Sequence, residues 1–105
     1  MNYLRFVMMF ALIATLAEMS ALAAGDSAKG KEIYMANCTV CHNDDPSKVG
    51  GIGPAIKGSS RALIEARVLR VSYPPGYKPQ RTTKIMPLYY QLKPYLGDLA
   101  AFLKK

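Results

Sequence analysis

The residues of this chain best suited to site chemistry lie together in one short stretch, CTVCH, at positions 38–42. Its two cysteines, Cys38 and Cys41, and its one histidine, His42, are the only residues of these types in the chain. Two thiols and an imidazole at this spacing suit a disulfide, a metal clip, a redox dithiol or a covalent anchor for a cofactor. The surrounding sequence has to decide among these four kinds of site.

Three of the four alternatives fit the CTVCH stretch poorly. A disulfide between Cys38 and Cys41 would close a tiny loop, which removes little entropy from the unfolded chain. A thioredoxin-like dithiol requires a βαβ context, whereas the flanks of the motif indicate a helix and a glycine-rich loop. A structural zinc site requires four nitrogen or sulfur ligands, and only three are present. The Cys-x-x-Cys-His spacing instead predicts one covalently attached c-type haem, with Cys38 and Cys41 as thioether anchors and His42 as an iron ligand.

The N-terminal residues 1–24 have the order of a secretory signal peptide. Arg5 supplies a positive charge, an uncharged apolar run follows over residues 6–17, and Ala21 and Ala23 supply the small residues before a cleavage site. The apolar run is shorter than the roughly 20 residues of a membrane span, and Glu18 would be costly inside one. We therefore predict cleavage after Ala23 or Ala24 and a periplasmic or otherwise exported protein; the alternative is an uncleaved anchor.

Size and charge limit what residues 25–105 can be. They make one small domain, whose modest core benefits from a large apolar cofactor. The whole chain has a formal charge of +7, and loss of residues 1–24 removes only Arg5 and Glu18, so that the charge stays +7. A basic surface suits acidic redox proteins, and export argues against nucleic acid. We expect a monomer without a membrane span in its mature form.

Hydrophobic periodicity predicts three helices and no convincing strand, and thus an all-α fold. The first helix runs over residues 30–38 into the haem motif, with Asp26 or Ser27 as its N-cap. The second covers residues 59–71, capped by one of its opening serines. The third covers residues 94–105, with a proline at its first position and lysines at its end.

With these segments in place, the chain resembles a class I cytochrome c of the small bacterial monohaem kind. The resemblance covers the segment from about residue 26 to residue 105 and implies about three to five helices wrapped around one haem. In the family, a glycine and an aromatic residue of the first helix pack against the last helix. The resemblance therefore implies that Gly30 and Tyr34 contact Leu99 and Phe102.

Two further motifs supply the expected surroundings of the iron. In GGIGPAIKG, residues 50–58, the resemblance implies that the carbonyl group of Pro54 accepts a hydrogen bond from His42. Of the two methionines beyond residue 24, Met35 lies three residues before Cys38, cannot easily reach the opposite face of the haem, and is interpreted as a packing residue. Met86, in the motif KIMP, is the predicted sixth ligand of the iron.

His–Met ligation leaves the iron without an open position, so we predict a one-electron carrier and no enzyme. Two alternatives stay open. One is a small-molecule sensor or weak peroxidase in which Met86 is labile or never binds. The other is a membrane-tethered subunit of a larger redox complex. A loop over residues 72–84 precedes the methionine. Four of its polar side chains either cover the haem edge, pair with propionates, or form ordinary surface or packing: Tyr73, Tyr77, Arg81 and Lys84.

Overall fold

A computed structural model describes residues 25–105, and the predicted signal peptide, residues 1–24, lies outside the described residues. The described part of the chain has helices and no strand, which confirms the all-α prediction. In chain order the elements are α1 (Ser27–Asn37), α2 (Arg61–Leu69), a 3₁₀ helix (Tyr90–Tyr95) and α3 (Leu96–Lys104). None of the helices within residues 25–105 is long and apolar enough to cross a membrane.

Side chains of the expected types cap the first two helices. The carboxylate of Asp26 accepts hydrogen bonds from the backbone N–H groups of Ala28 and Lys29, at 3.0 and 3.2 Å. The hydroxyl of Ser60 accepts from the N–H of Leu63 at 3.1 Å. Both caps satisfy N–H groups that have no partner inside the helix, which settles the two alternatives that the sequence left open.

Several helix boundaries differ from the sequence prediction, and two of these differences have a clear physical cause. Helix α2 ends at Leu69 because Arg70 is extended, with φ −141° and ψ 133°, and Val71 consequently lies outside the helix and is exposed. The last α-helix begins at Leu96 and not at Pro94, which lies inside the preceding 3₁₀ helix. The fixed φ of proline is compatible with such a short helical turn, and its missing N–H costs little there.

Helices α1 and α3 cross at Gly30 in direct backbone contact. A Cβ atom at this position would lie 2.9 Å from Cβ of Phe102 and still closer to the carbonyl oxygen of Asp98. One turn further on, Tyr34 is fully buried and its ring lies 5.3 Å from the ring of Phe102. Leu99 shares the core cluster with Tyr34. The helix crossing that the resemblance implied is therefore confirmed.

The buried core is small and lies between the helices. It consists of one aromatic and six aliphatic side chains: Tyr34, Ile64, Val68, Leu92, Leu96, Leu99 and Leu103. Cys38 and Met86 are partly buried and pack against this cluster. The core thus forms one wall of the cleft in which the candidate site lies.

Candidate functional site

The five residues singled out from the sequence line one cleft. The cleft contains about 1170 Å³ of empty space, its open mouth included. Residues from the first third of the described chain and from its last third contribute to it. The predicted site residues on its wall are Cys38, Cys41, His42, Pro54 and Met86.

The CTVCH stretch forms a tight turn that continues directly from α1. The N–H of Cys38 donates to the carbonyl of Tyr34 at 2.9 Å, and the N–H of His42 donates to the carbonyl of Cys38 at 2.9 Å. This compact path brings both thiols and the imidazole to the same cleft. Cys38 and Cys41 are free thiols, and burial raises the pKa of Cys38 to about 11, so that this thiol is protonated at neutral pH.

A carbonyl group fixes the orientation of the imidazole. Nδ1 of His42 lies 2.9 Å from the carbonyl oxygen of Pro54. Since a carbonyl oxygen accepts and cannot donate, Nδ1 carries the proton and donates it, which leaves the lone pair on Nε2. The contact is the one implied by the resemblance, and it presents Nε2 as a metal-binding atom.

Gly53 lies directly against the imidazole ring. A Cβ atom at this position would be 2.5 Å from Cε1 and 2.6 Å from Nδ1 of His42. The N–H of Gly53 also donates to the carbonyl of Cys41 at 2.9 Å, which holds the glycine loop against the CTVCH turn. The loop therefore requires a residue without a side chain here, a requirement that the sequence pattern alone did not reveal.

The two methionines of the described chain occupy different environments. Met86 is half-buried, lies on the cleft and packs against the core. Met35 does not line the cleft, and 41% of its surface is exposed. The interpretation of Met35 as a packing residue is therefore wrong: α1 turns this position away from the core. Its absence from the cleft lining agrees with the exclusion of Met35 as a ligand.

An aromatic stack covers part of the cleft beside α2. The guanidinium of Arg67 lies 4.3 Å from the ring centre of Tyr73, which in turn stacks on Tyr77 at 5.4 Å. Both tyrosines and Arg81 line the cleft, whereas Lys84 is exposed and does not. Sequence reasoning overlooked Arg67, although its position three residues after Ile64 places it close to the buried face of α2.

The family model described as Cytochrome c matches residues 27–105. The chain belongs to the cytochrome c family. Neither the curated proteins nor the solved structures give a significant match to it. Membership of the cytochrome c family supports haem-based electron transfer and implies haem c as the cofactor.

The donor atoms of this cytochrome fit such a cofactor. Two free thiols lie three residues apart on the cleft wall, next to an imidazole whose Nε2 has a free lone pair. The thioether of Met86 is a soft ligand that suits haem iron. Aliphatic side chains of the core, among them Leu99 and Leu103, supply the apolar wall that a porphyrin requires.

Proposed function

We propose that this cytochrome is an exported one-electron carrier with a single covalently bound c-type haem. Cys38 and Cys41 bind the haem as thioethers, and His42 and Met86 bind the iron from its two sides. The observation that carries the proposal is that Met86, 44 residues after His42, shares one cleft with the CTVCH turn. Covalent attachment at this turn makes the cofactor a permanent part of the small core.

The bound haem supplies an Fe(III)/Fe(II) couple, and the surrounding residues set its properties. The hydrogen bond from Nδ1 of His42 to Pro54 fixes the tautomer and raises the basicity of the ligand nitrogen. Met86 provides a thioether, which favours the reduced iron and raises the reduction potential relative to a second histidine. With His42 and Met86 both bound to it, the iron would have no open position for a substrate, and the chemistry that the haem would supply is transfer of one electron.

We further infer that the partners are redox proteins with acidic docking faces. Residues 25–105 have a formal charge of +7, which the two haem propionates lower by about two when ionised. A field of this sign guides a negatively charged partner toward the basic face and speeds association at low ionic strength. Such encounters bury little surface, so the complexes with these partners are transient, and we propose that the cytochrome enters them as a monomer.

Spectroscopy of two methionine variants tests the ligand assignment. In oxidised holoprotein, Met86→Ala removes the long-wavelength sulfur-to-iron charge-transfer band and lowers the reduction potential, because a thioether ligand is lost. The matched control is Met35→Ala, which removes the other methionine of the described chain from a site outside the cleft. A band that survives Met86→Ala, or that disappears in Met35→Ala, contradicts the assignment.

The proposed export and attachment have separate tests. N-terminal sequencing of the protein purified from cells gives a first residue of Ala24 or Gly25 if the signal peptide is cleaved as proposed, whereas an intact Met1 contradicts cleavage. Mass spectrometry under denaturing conditions gives the mass of one chain plus one haem. A chain that releases its haem on denaturation contradicts the thioether bonds to Cys38 and Cys41.

A further inference from the structure

The segment that carries Met86 is weakly held. In residues 78–88, which we call the distal segment, no backbone group forms a main-chain hydrogen bond with another described residue. The nearest main-chain bonds flank it, from the N–H of Tyr77 to Pro74 at 3.1 Å and from the N–H of Tyr89 to Val68 at 2.8 Å. Residues 78–85 are all exposed. Backbone of this kind opens locally at low cost in free energy.

One side-chain hydrogen bond joins the distal segment to the rest of the described chain. Nε2 of Gln80 donates to the carbonyl oxygen of Ala55 at 3.2 Å, across 25 residues of sequence. Ala55 directly follows Pro54, whose carbonyl accepts the proton of His42. The bond therefore crosses the cleft edge, from the loop that carries Met86 to the loop that orients His42.

We propose that Gln80 is a positioning residue for Met86. Its hydrogen bond to Ala55 keeps the distal segment closed over the cleft, and loss of the bond lets Met86 leave the iron more often. This inference rests on the proposed role of Met86 as an axial ligand. Gln80 thereby determines how readily a small nitrogen base from solution reaches the vacated position.

The size of the effect follows from the energetics of one exposed hydrogen bond. Such a bond typically changes an equilibrium about two- to tenfold. The distal segment has no other hydrogen bond to the rest of the described residues. Loss of the Gln80 bond therefore raises the equilibrium constant for opening of the segment by this factor. A ligand that binds only the open form then binds more tightly by the same factor.

Imidazole is a suitable probe, and its binding to the oxidised holoprotein is followed in the visible spectrum. Gln80→Glu replaces the donor with a carboxylate that only accepts, and Gln80→Ala removes the side chain without adding charge. Both raise the affinity for imidazole about two- to tenfold, and the equilibrium constant of global unfolding rises by no more than the same factor, because the same single bond is lost from the closed form. Gln91→Glu is the matched control: Gln91 is also exposed and does not line the cleft, so its affinity for imidazole stays at the wild-type value.

Met86→Ala separates failure of this inference from failure of the proposed function. If Met86→Ala binds imidazole more tightly but both Gln80 variants match the wild type, the role of Gln80 is overturned and the ligand assignment stands. If Met86→Ala leaves the affinity unchanged, the ligand assignment is overturned as well. An increase in Gln91→Glu equal to that in Gln80→Glu shows a general effect of charge and also overturns the role of Gln80.

Discussion

Replacement of Gly53 by alanine tests how the glycine loop orients the imidazole. In Gly53→Ala the new Cβ would lie 2.5 Å from Cε1 of His42, whereas ordinary contact begins at 3.4 Å. The ring must therefore withdraw by about 0.9 Å, or the loop must move by the same amount. A shift of this size takes the 2.9 Å contact between Nδ1 and Pro54 out of hydrogen-bonding geometry.

Three contributions set the expected loss of stability. Overpacking in a filled site costs about 1–3 kcal/mol, and the broken hydrogen bond costs about 1 kcal/mol. Against these, the change from glycine to alanine restricts the unfolded chain, which stabilises the fold by about 0.4–1 kcal/mol. The free energy of unfolding therefore falls by about 1–3.5 kcal/mol. For a domain of this size each kcal/mol lowers the melting temperature by about 4–8 °C.

The assay combines thermal unfolding, followed by circular dichroism, with a potentiometric titration of the holoprotein. Besides the lower melting temperature, the reduction potential of Gly53→Ala rises, because the imidazole loses the bond that raises its basicity. Gly51→Ala is the control, since a Cβ at Gly51 meets nothing within 4 Å and the residue has no positive φ. If Gly53→Ala and Gly51→Ala agree in both quantities, the reasoning about this loop is refuted.

Three further predictions concern α1. Gly30→Ala lowers the free energy of unfolding by about 2 kcal/mol. Opening the backbone contact with α3 has a cost at the upper end of the overpacking range of about 1–3 kcal/mol. The higher helix propensity of alanine offsets about 1 kcal/mol of this cost. Asp26→Ala removes the N-cap and costs about 0.5–2 kcal/mol. The pH dependence of stability reports on Tyr34, since burial raises the pKa of its hydroxyl from 10.0 to about 12. The unfolded chain releases this proton above pH 10 and the folded chain retains it to about pH 12, so stability falls over that interval, a loss that Tyr34→Phe lacks.

Each of these predictions has a control variant, measured by chemical denaturation. Ala36→Gly, at an exposed site of α1, measures helix propensity alone and lowers the free energy of unfolding by about 1 kcal/mol. If Gly30→Ala raises the free energy of unfolding by this amount, helix propensity acts there too without a packing cost, which contradicts the close crossing. Asp44→Ala removes an exposed carboxylate that caps no helix, and a loss equal to that of Asp26→Ala contradicts the cap. Tyr90→Phe removes the hydroxyl of a tyrosine with 65% of its surface exposed. If Tyr34 causes the loss of stability at alkaline pH, the Tyr90→Phe variant still shows that loss.

The features that sequence reasoning anticipated are those encoded by neighbouring residues. Cys38, Cys41 and His42 are contiguous, so their placement on one surface follows from a single turn. Helix starts at Asp26 and Ser60 follow from side chains that bond to backbone groups two or three residues away. Such short-range patterns survive in almost any tertiary environment, which explains why the all-α fold was predictable.

The features that were missed depend on contacts between distant parts of the chain. Nothing near Gln80 in the sequence indicates that its side chain reaches Ala55. Likewise, the glycine-rich sequence around Gly53 indicates only a turn. The contact of Gly53 with the imidazole of His42 is visible only in the folded loop. The early end of α2 before Val71 has the same origin, because the apolar periodicity continues past the point at which the backbone becomes extended.

The crossing of α1 and α3 also determines when the fold can close. The N–H of Asp26 donates to the carboxylate of Asp98 at 2.8 Å, across 72 residues of sequence, so the contact requires a long loop to close against chain entropy. Because synthesis runs from the N-terminus, the CTVCH turn emerges well before α3. Until α3 docks, Tyr34 lacks its cover and the cysteine turn stays accessible. The order of synthesis thus leaves an interval in which both thiols can react before the domain is complete.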